Sequence, residues 1–172
     1  MEHRLFRVIS MLWVGSLLSL GFIAAPVIFS TLTNTTDAGT VAAQLFRIEA
    51  IIGMISALAL ILIGNRFVKS GIVDYKRVRW IVAVMLVCVL VGYFALQPFM
   101  NSLRVAAQES GTELANSPYA QQFGILHGVS SAIYLIESLF GLALVWRLPG
   151  AVPSKIVPKS KSAKMAAKRA RS

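Results

Sequence analysis

The residues with chemistry to offer are concentrated in one apolar stretch. Phe123 to Trp146 reads FGILHGVSSAIYLIESLFGLALVW and carries His127, Ser130, Ser131, Tyr134, Glu137 and Ser138. At helical spacing His127, Ser131, Tyr134, Ser138 and Gly141 step by four, three, four and three, so they share one stripe of a helix. Ser130 and Glu137 lie close beside that line, and an imidazole and a carboxyl so placed are groups with which a membrane helix binds a cation or relays a proton. The plainer use of the same residues is an interhelical hydrogen bond from a neutral acid to a serine or tyrosine. Glu137 lies ten residues beyond His127, about 15 Å further along a helix. An ionised carboxylate at that depth is expensive, so Glu137 is expected to be protonated, paired or hydrated. Arg47 and Glu49 are a second group of candidates. They are two residues apart, about 200° of rotation, so each needs its own partner or water. Their depth allows a cluster with His127 in the outer half of a bundle, with a structural ion pair or snorkelling as the simpler reading.

These residues need helices to hold them, and the pattern supplies four. Apolar spans are expected over about 8–32, 41–64, 80–100 and 123–146, each near the ~20 residues that cross ~30 Å of hydrocarbon. The first run is too long for the apolar core of a signal peptide, and Ala24-Ala25-Pro26 is a poor cleavage context. Gly15, Ser16 and Ser19 in the first span, and Glu49, Gly53, Ser56 and Ala57 in the second, form small or polar faces for close helix contact. Pro26 is expected to loosen the outer end of the first span. Asp37 or Thr40 is expected to cap the second. Trp80 stands where an interfacial aromatic belongs. Leu103, Ala106 and Ala107 extend the third span outward until Ser110-Gly111 breaks it. The expected fold is all-α: an integral membrane four-helix bundle over 1–146, followed by a disordered basic tail over 147–172.

Composition narrows the chemistry. The chain has 172 residues, 56% hydrophobic and 14% charged, against about 25% charged in soluble domains. Its histidines, His3 and His127, are expected on opposite faces of the membrane, which disfavours a bis-histidine haem. Cys88 is the lone cysteine, so no intramolecular disulfide forms. There is no Gly-rich phosphate loop and no HExxH pattern. Met11, Met54, Met85 and Met100 are spread over three spans and read better as gap-fillers than as soft-metal ligands. No enzyme activity, cofactor or metal is expected.

Charge sets the expected orientation. Of the 17 Lys and Arg residues, two precede the first span, five lie between the second and third, and eight follow the fourth. The positive-inside rule then places both termini and the middle loop in the cytoplasm. The tail, RLPGAVPSKIVPKSKSAKMAAKRARS, has no acid and three prolines. Attraction of about 1 kcal/mol per base to anionic lipid favours a membrane-surface role over nucleic-acid binding.

Gly21-Phe22-Ile23-Ala24-Ala25-Pro26-Val27-Ile28-Phe29, with Ala38-Gly39, Leu45-Phe46 and Leu126-His127-Gly128-Val129-Ser130-Ser131, resembles bacterial proteins carrying domain of unknown function 4149. These are related to the eukaryotic transmembrane protein 205. The resemblance runs from residue 8 to 146 and implies a small multi-span helical membrane protein. Pro26, Phe29, Gly39, Phe46 and His127 fall on its motif positions, and a structural role is implied for them. The eukaryotic relative is linked to resistance to a platinum drug, which lends slight weight to handling of soft electrophiles. The residues themselves favour binding or transport of a small molecule or ion through a polar interior, with Glu137, His127, Arg47, Glu49, Tyr134 and Ser131 as its groups. The competing expectation is a structural or assembly partner of another membrane protein. A homo-oligomer fits either.

Overall fold

The computed structural model describes residues 2–72 and 74–148. Four long helices account for nearly all of them: α1 Glu2–Thr31, α2 Thr35–Lys69, α3 Tyr75–Glu109 and α4 Ala120–Trp146. They alternate in direction around a square. Each packs on its sequence neighbours, α1 closes the ring against α4, and α1/α3 and α2/α4 lie on the diagonals. The part of the expected tail beyond Leu148 falls outside the described residues.

α2 and α3 overrun the expected spans 41–64 and 80–100 at both ends, and α1 and α4 overrun theirs at the N-terminal end only. α2 starts at Thr35, with Asn34 Oδ1 accepting from the Thr36 N–H at 2.8 Å and the Asp37 N–H at 3.4 Å. The cap is therefore Asn34, which is β-region and one residue before the helix, and not Asp37 or Thr40, which already lie in the first turns. α2 and α3 stop where Gly71 (φ 84°) and Gly111 (φ 69°) take the left-handed conformation. Each stop is sealed by a bond back across five residues, Ile72 N–H to Phe67 O at 3.1 Å and Thr112 N–H to Ala107 O at 3.2 Å.

The surface inverts that of a soluble protein. Each helix contains an 18-residue window of high hydropathy, yet only 17–22% of these windows is buried within the bundle. Exposed Leu12, Ile23, Ile55, Leu62, Phe94 and Leu139 are typical of what faces outward. Water would not tolerate so continuous an apolar belt, and lipid does. Trp80 and Trp146 are exposed at the end that carries the N-terminus of α1, where amphipathic rings sit at headgroup level. This is a multi-pass membrane protein.

The bundle also has an internal two-fold relation. Pro26 and Pro98 are 72 residues apart, and each follows a π-helical turn, Leu20–Ala24 in α1 and Val91–Leu96 in α3. A proline carries no N–H, and a local change of helical register is a common way to absorb that loss. Carried back along the helices, the same shift of 72 superposes the buried stripe Phe6, Ser10, Trp13, Leu17 on Val78, Val82, Met85, Val89. α2 and α4 correspond by a shift of 88: Ile48-Glu49 with Ile136-Glu137, and Gly53 with Gly141. Two corresponding pairs touch across the bundle. His3 and Tyr75 are hydrogen-bonded through Nδ1 and Oη at 2.9 Å near one end. Phe46 and Tyr134 meet edge-to-face further along, with ring centroids 5.2 Å apart. Equivalent residues meet only on a symmetry axis, so the hairpins α1–α2 and α3–α4 are related by a pseudo-two-fold along the bundle, the arrangement of a parallel repeat.

Candidate functional site

The polar centre lies on this axis, next to the Phe46–Tyr134 contact. Glu49 and Glu137 are its corresponding carboxyls. Both are buried, at 8% and 5% exposure, and each is followed one turn later on its helix by a buried glycine, Gly53 or Gly141. The glycines let the neighbouring helix approach. A Cβ at Gly53 would stand 3.0 Å from Trp13 Nε1, and one at Gly141 would stand 3.3 Å from Val14 Cγ1. The carboxyls lie within electrostatic range of each other.

Their surroundings differ in a way that matters chemically. Glu49 Oε1 accepts from Ser16 Oγ at 3.0 Å, and Ser16 is anchored by its own bond to the Trp13 carbonyl at 2.9 Å. Glu49 also borders an open groove between α1 and α2, with a volume of about 420 Å³, lined by Ser16, Ser19, Leu20, Ile23 and Leu45. Glu137 has no hydrogen bond or salt bridge among the described residues. Its neighbour in charge range on α3 is Cys88, which corresponds to Ser16 under the two-fold. Tyr134 sits between the two acids electrostatically, and its hydroxyl donates to the Leu17 carbonyl. That bond ties α4 to the start of the π-helical turn in α1. Two buried donors have no acceptor among the described residues, Trp13 Nε1 and Ser138 Oγ. Among the described residues no group of three or more His, Cys, Asp and Glu side chains is placed to hold a metal.

The outer half of the expected polar stripe lies elsewhere. His127 and Ser131 are exposed, with the imidazole stacked on Phe123 at 6.0 Å. Arg47 is exposed on the outer face of α2. None of these three has a bond to the Glu49–Glu137 centre among the described residues. The stripe turns out of the bundle because the outer segment of α1, Ala25–Thr31, packs chiefly on α2 and leaves the first turns of α4 with little cover on that side. Of the motif residues, Phe46 packs on Tyr134 and Pro26 follows the π-helical turn. Gly39 leaves room for the Arg104 guanidinium, 3.7 Å from where its Cβ would be, while Phe29 is half exposed.

Trp13, Ser16 and Cys88 belong to the centre, and no pattern of ionisable residues pointed to them. The signal that finds them is the repeat: Ile-Glu-small-x-x-Gly occurs in both α2 and α4, and the residues packed on each copy, Trp13 and Ser16 on one side, Met85 and Cys88 on the other, are again 72 apart.

A model of the family described as Domain of unknown function (DUF4149) matches residues 8–109, covering α1, α2 and α3. The chain belongs to that family. It is a small multi-pass membrane protein of that class, built as a duplicated helical hairpin with a carboxyl pair on its axis. No curated protein and no solved structure matches the chain.

Proposed function

We propose that the protein binds and moves a small solute or ion through the polar interior of the bundle, with Glu49 and Glu137 as the groups that hold it, and without covalent chemistry. The observation that carries this reading is the pair itself. Two carboxyls buried in a membrane bundle, with no cationic side chain bonded to either among the described residues, are costly as packing alone. Sites at the interface of repeats are where membrane carriers place their substrates. His127 and Arg47, exposed at the outer rim, would act in solute capture rather than in the centre. The chain is proposed to lie in a bacterial inner membrane with both termini cytoplasmic, on the support of its charge asymmetry. The basic tail would then rest on anionic lipid. The test is flux in proteoliposomes and in cells over a panel of small cations, amines and soft-metal compounds, comparing wild type with Glu137→Gln at equal expression. At least one compound should show protein-dependent movement that the substitution reduces tenfold or more. Flux that is absent for the whole panel, or equal in the two proteins, overturns the reading.

One observation favours an assembly role as the second reading. On α4 the exposed face carries Gly124, Gly128 and Ser131, with open space beside both glycines, which suits close approach of another helix. A membrane partner that copurifies with wild type and is lost with Ser131→Leu would support it.

A further inference from the structure

We infer that Glu49 and Glu137 form a single proton site on the pseudo-two-fold axis, holding one proton between two carboxyls at neutral pH. This names the ion for the carrier reading and rests on that reading only for what the proton is used for. The geometry supplies two carboxyls in mutual charge range, buried in the hydrocarbon zone, with neutral neighbours on every element packed around them. From α1 the neighbours are Ser16 and Trp13. From α3 the neighbour is the Cys88 thiol, and from α4 the Tyr134 phenol, already engaged with the Leu17 carbonyl. Among the described residues neither carboxyl has a cation bonded to it. Two buried carboxylates in each other's field and without a counter-cation are too costly to be ionised together in such a medium, so one proton stays.

The two positions are not equal, and that gives the proton a resting place. Glu137 is the more buried of the two and has no donor bonded to it, so the proton rests there. Glu49 is the less buried of the two and has the Ser16 hydroxyl to stabilise its negative charge, so it is the acid left ionised. An independent sign of a polar occupant is the Trp13 indole. It is 1% exposed, its Nε1 has no acceptor among the described residues, and it lies against Gly53, one turn from Glu49 on the same face of α2. A buried N–H without an acceptor, one helical turn from Glu49, offers a donor to a polar occupant of the centre. When the proton passes from one acid to the other, the Glu137 O–H bond breaks, a Glu49 O–H bond forms, and the negative charge moves to Glu137.

The test counts protonated glutamates. In full-length protein carrying carbonyl-labelled glutamate, reconstituted in lipid, the infrared carbonyl stretch of a protonated acid is measured near neutral pH. Unlike the buried pair, Glu2, Glu109 and Glu113 are exposed to solvent. One protonated acid per chain is expected in wild type and none in Glu137→Gln, where Glu49 is left alone with its serine. In Glu49→Gln the band should persist but shift, because the carboxyl that shared the proton is now an amide. No protonated acid in wild type, two of them, or an unshifted band in Glu49→Gln would each overturn the inference. The wild-type count needs no variant to fold. It also separates the two proposals: one protonated acid in a protein that moves no solute removes the carrier reading and leaves the proton site, and solute flux with both acids ionised does the opposite.

Discussion

Replacing Gly21 by alanine tests how α1 and α4 are locked together. Gly21 sits in the π-helical turn Leu20–Ala24. A Cβ there would run into the Tyr134 ring, with Cζ at 2.8 Å and Oη at 2.7 Å. The ring has little freedom to step aside, since Phe46 meets it edge-to-face and its hydroxyl is held by the Leu17 carbonyl. Forcing an extra carbon into a filled space costs about 1–3 kcal/mol. Displacing the phenol forfeits a hydrogen bond of about 1 kcal/mol. The better helix propensity of alanine returns roughly 0.5–1 kcal/mol. The net loss is about 2 kcal/mol, which for a chain of this size lowers Tm by about 4–8 °C. Tyr134→Phe alone removes only the hydrogen bond and should cost about 1 kcal/mol. The decisive comparison is Gly21→Ala in a Tyr134→Leu background. With the ring gone the added methyl has room, so only the helix-propensity gain remains and the double-mutant coupling should reach about 3 kcal/mol. Detergent-to-SDS unfolding followed by tryptophan fluorescence reads all four proteins of the cycle. An equal Gly21→Ala penalty in both backgrounds would refute the steric argument and move the cause to the backbone of the turn.

The corresponding glycines of the two halves should respond unequally. A methyl at Gly53 meets the rigid Trp13 indole at 3.0 Å, whereas one at Gly141 meets Val14 and the flexible Met85 end at 3.3–3.4 Å. Gly53→Ala should therefore cost about 1–3 kcal/mol and shift the tryptophan emission, while Gly141→Ala stays below about 1 kcal/mol; equal losses by the same unfolding assay would contradict this. Asn34→Ala removes the acceptor for two N–H groups at the start of α2 and should cost about 0.5–2 kcal/mol, largely recovered by Asn34→Asp. An unchanged Tm for Asn34→Ala would show that another group closes that end.

Glu137 and Glu49 stood out in the sequence because a carboxyl inside an apolar run has few explanations, and both prove to be buried. His127 and Ser131 looked equivalent to Tyr134 and Ser138 because periodicity places residues on a stripe without saying how far along that stripe a neighbour extends. The outer segment of α1, Ala25–Thr31, packs chiefly on α2 and hardly on α4, so the inner part of the α4 stripe is covered and the outer part is not. The N-cap shows a similar limit. Asn34, Asp37 and Thr40 are all good caps by type, and the choice depends on where the backbone leaves the β region.

By itself the sequence determined the number of helices, the lipid-facing character of their surfaces and the break at Ser110-Gly111. Each of these depends on local composition, solvent transfer or a glycine's left-handed conformation, none of which needs a partner. It also contained the duplication, in the spacing of Pro26 and Pro98 and in the two Ile-Glu-small-x-x-Gly segments, but in a form that means little until the helices are placed. Only the tertiary structure decided that the two halves face each other across an axis. Only it brought the two acids into each other's field, gave one of them a serine and a groove, and left the other without a hydrogen bond. Those outcomes depend on which diagonal each helix occupies and how deep it sits. Such quantities are set by the packing of all four helices at once and by no segment alone.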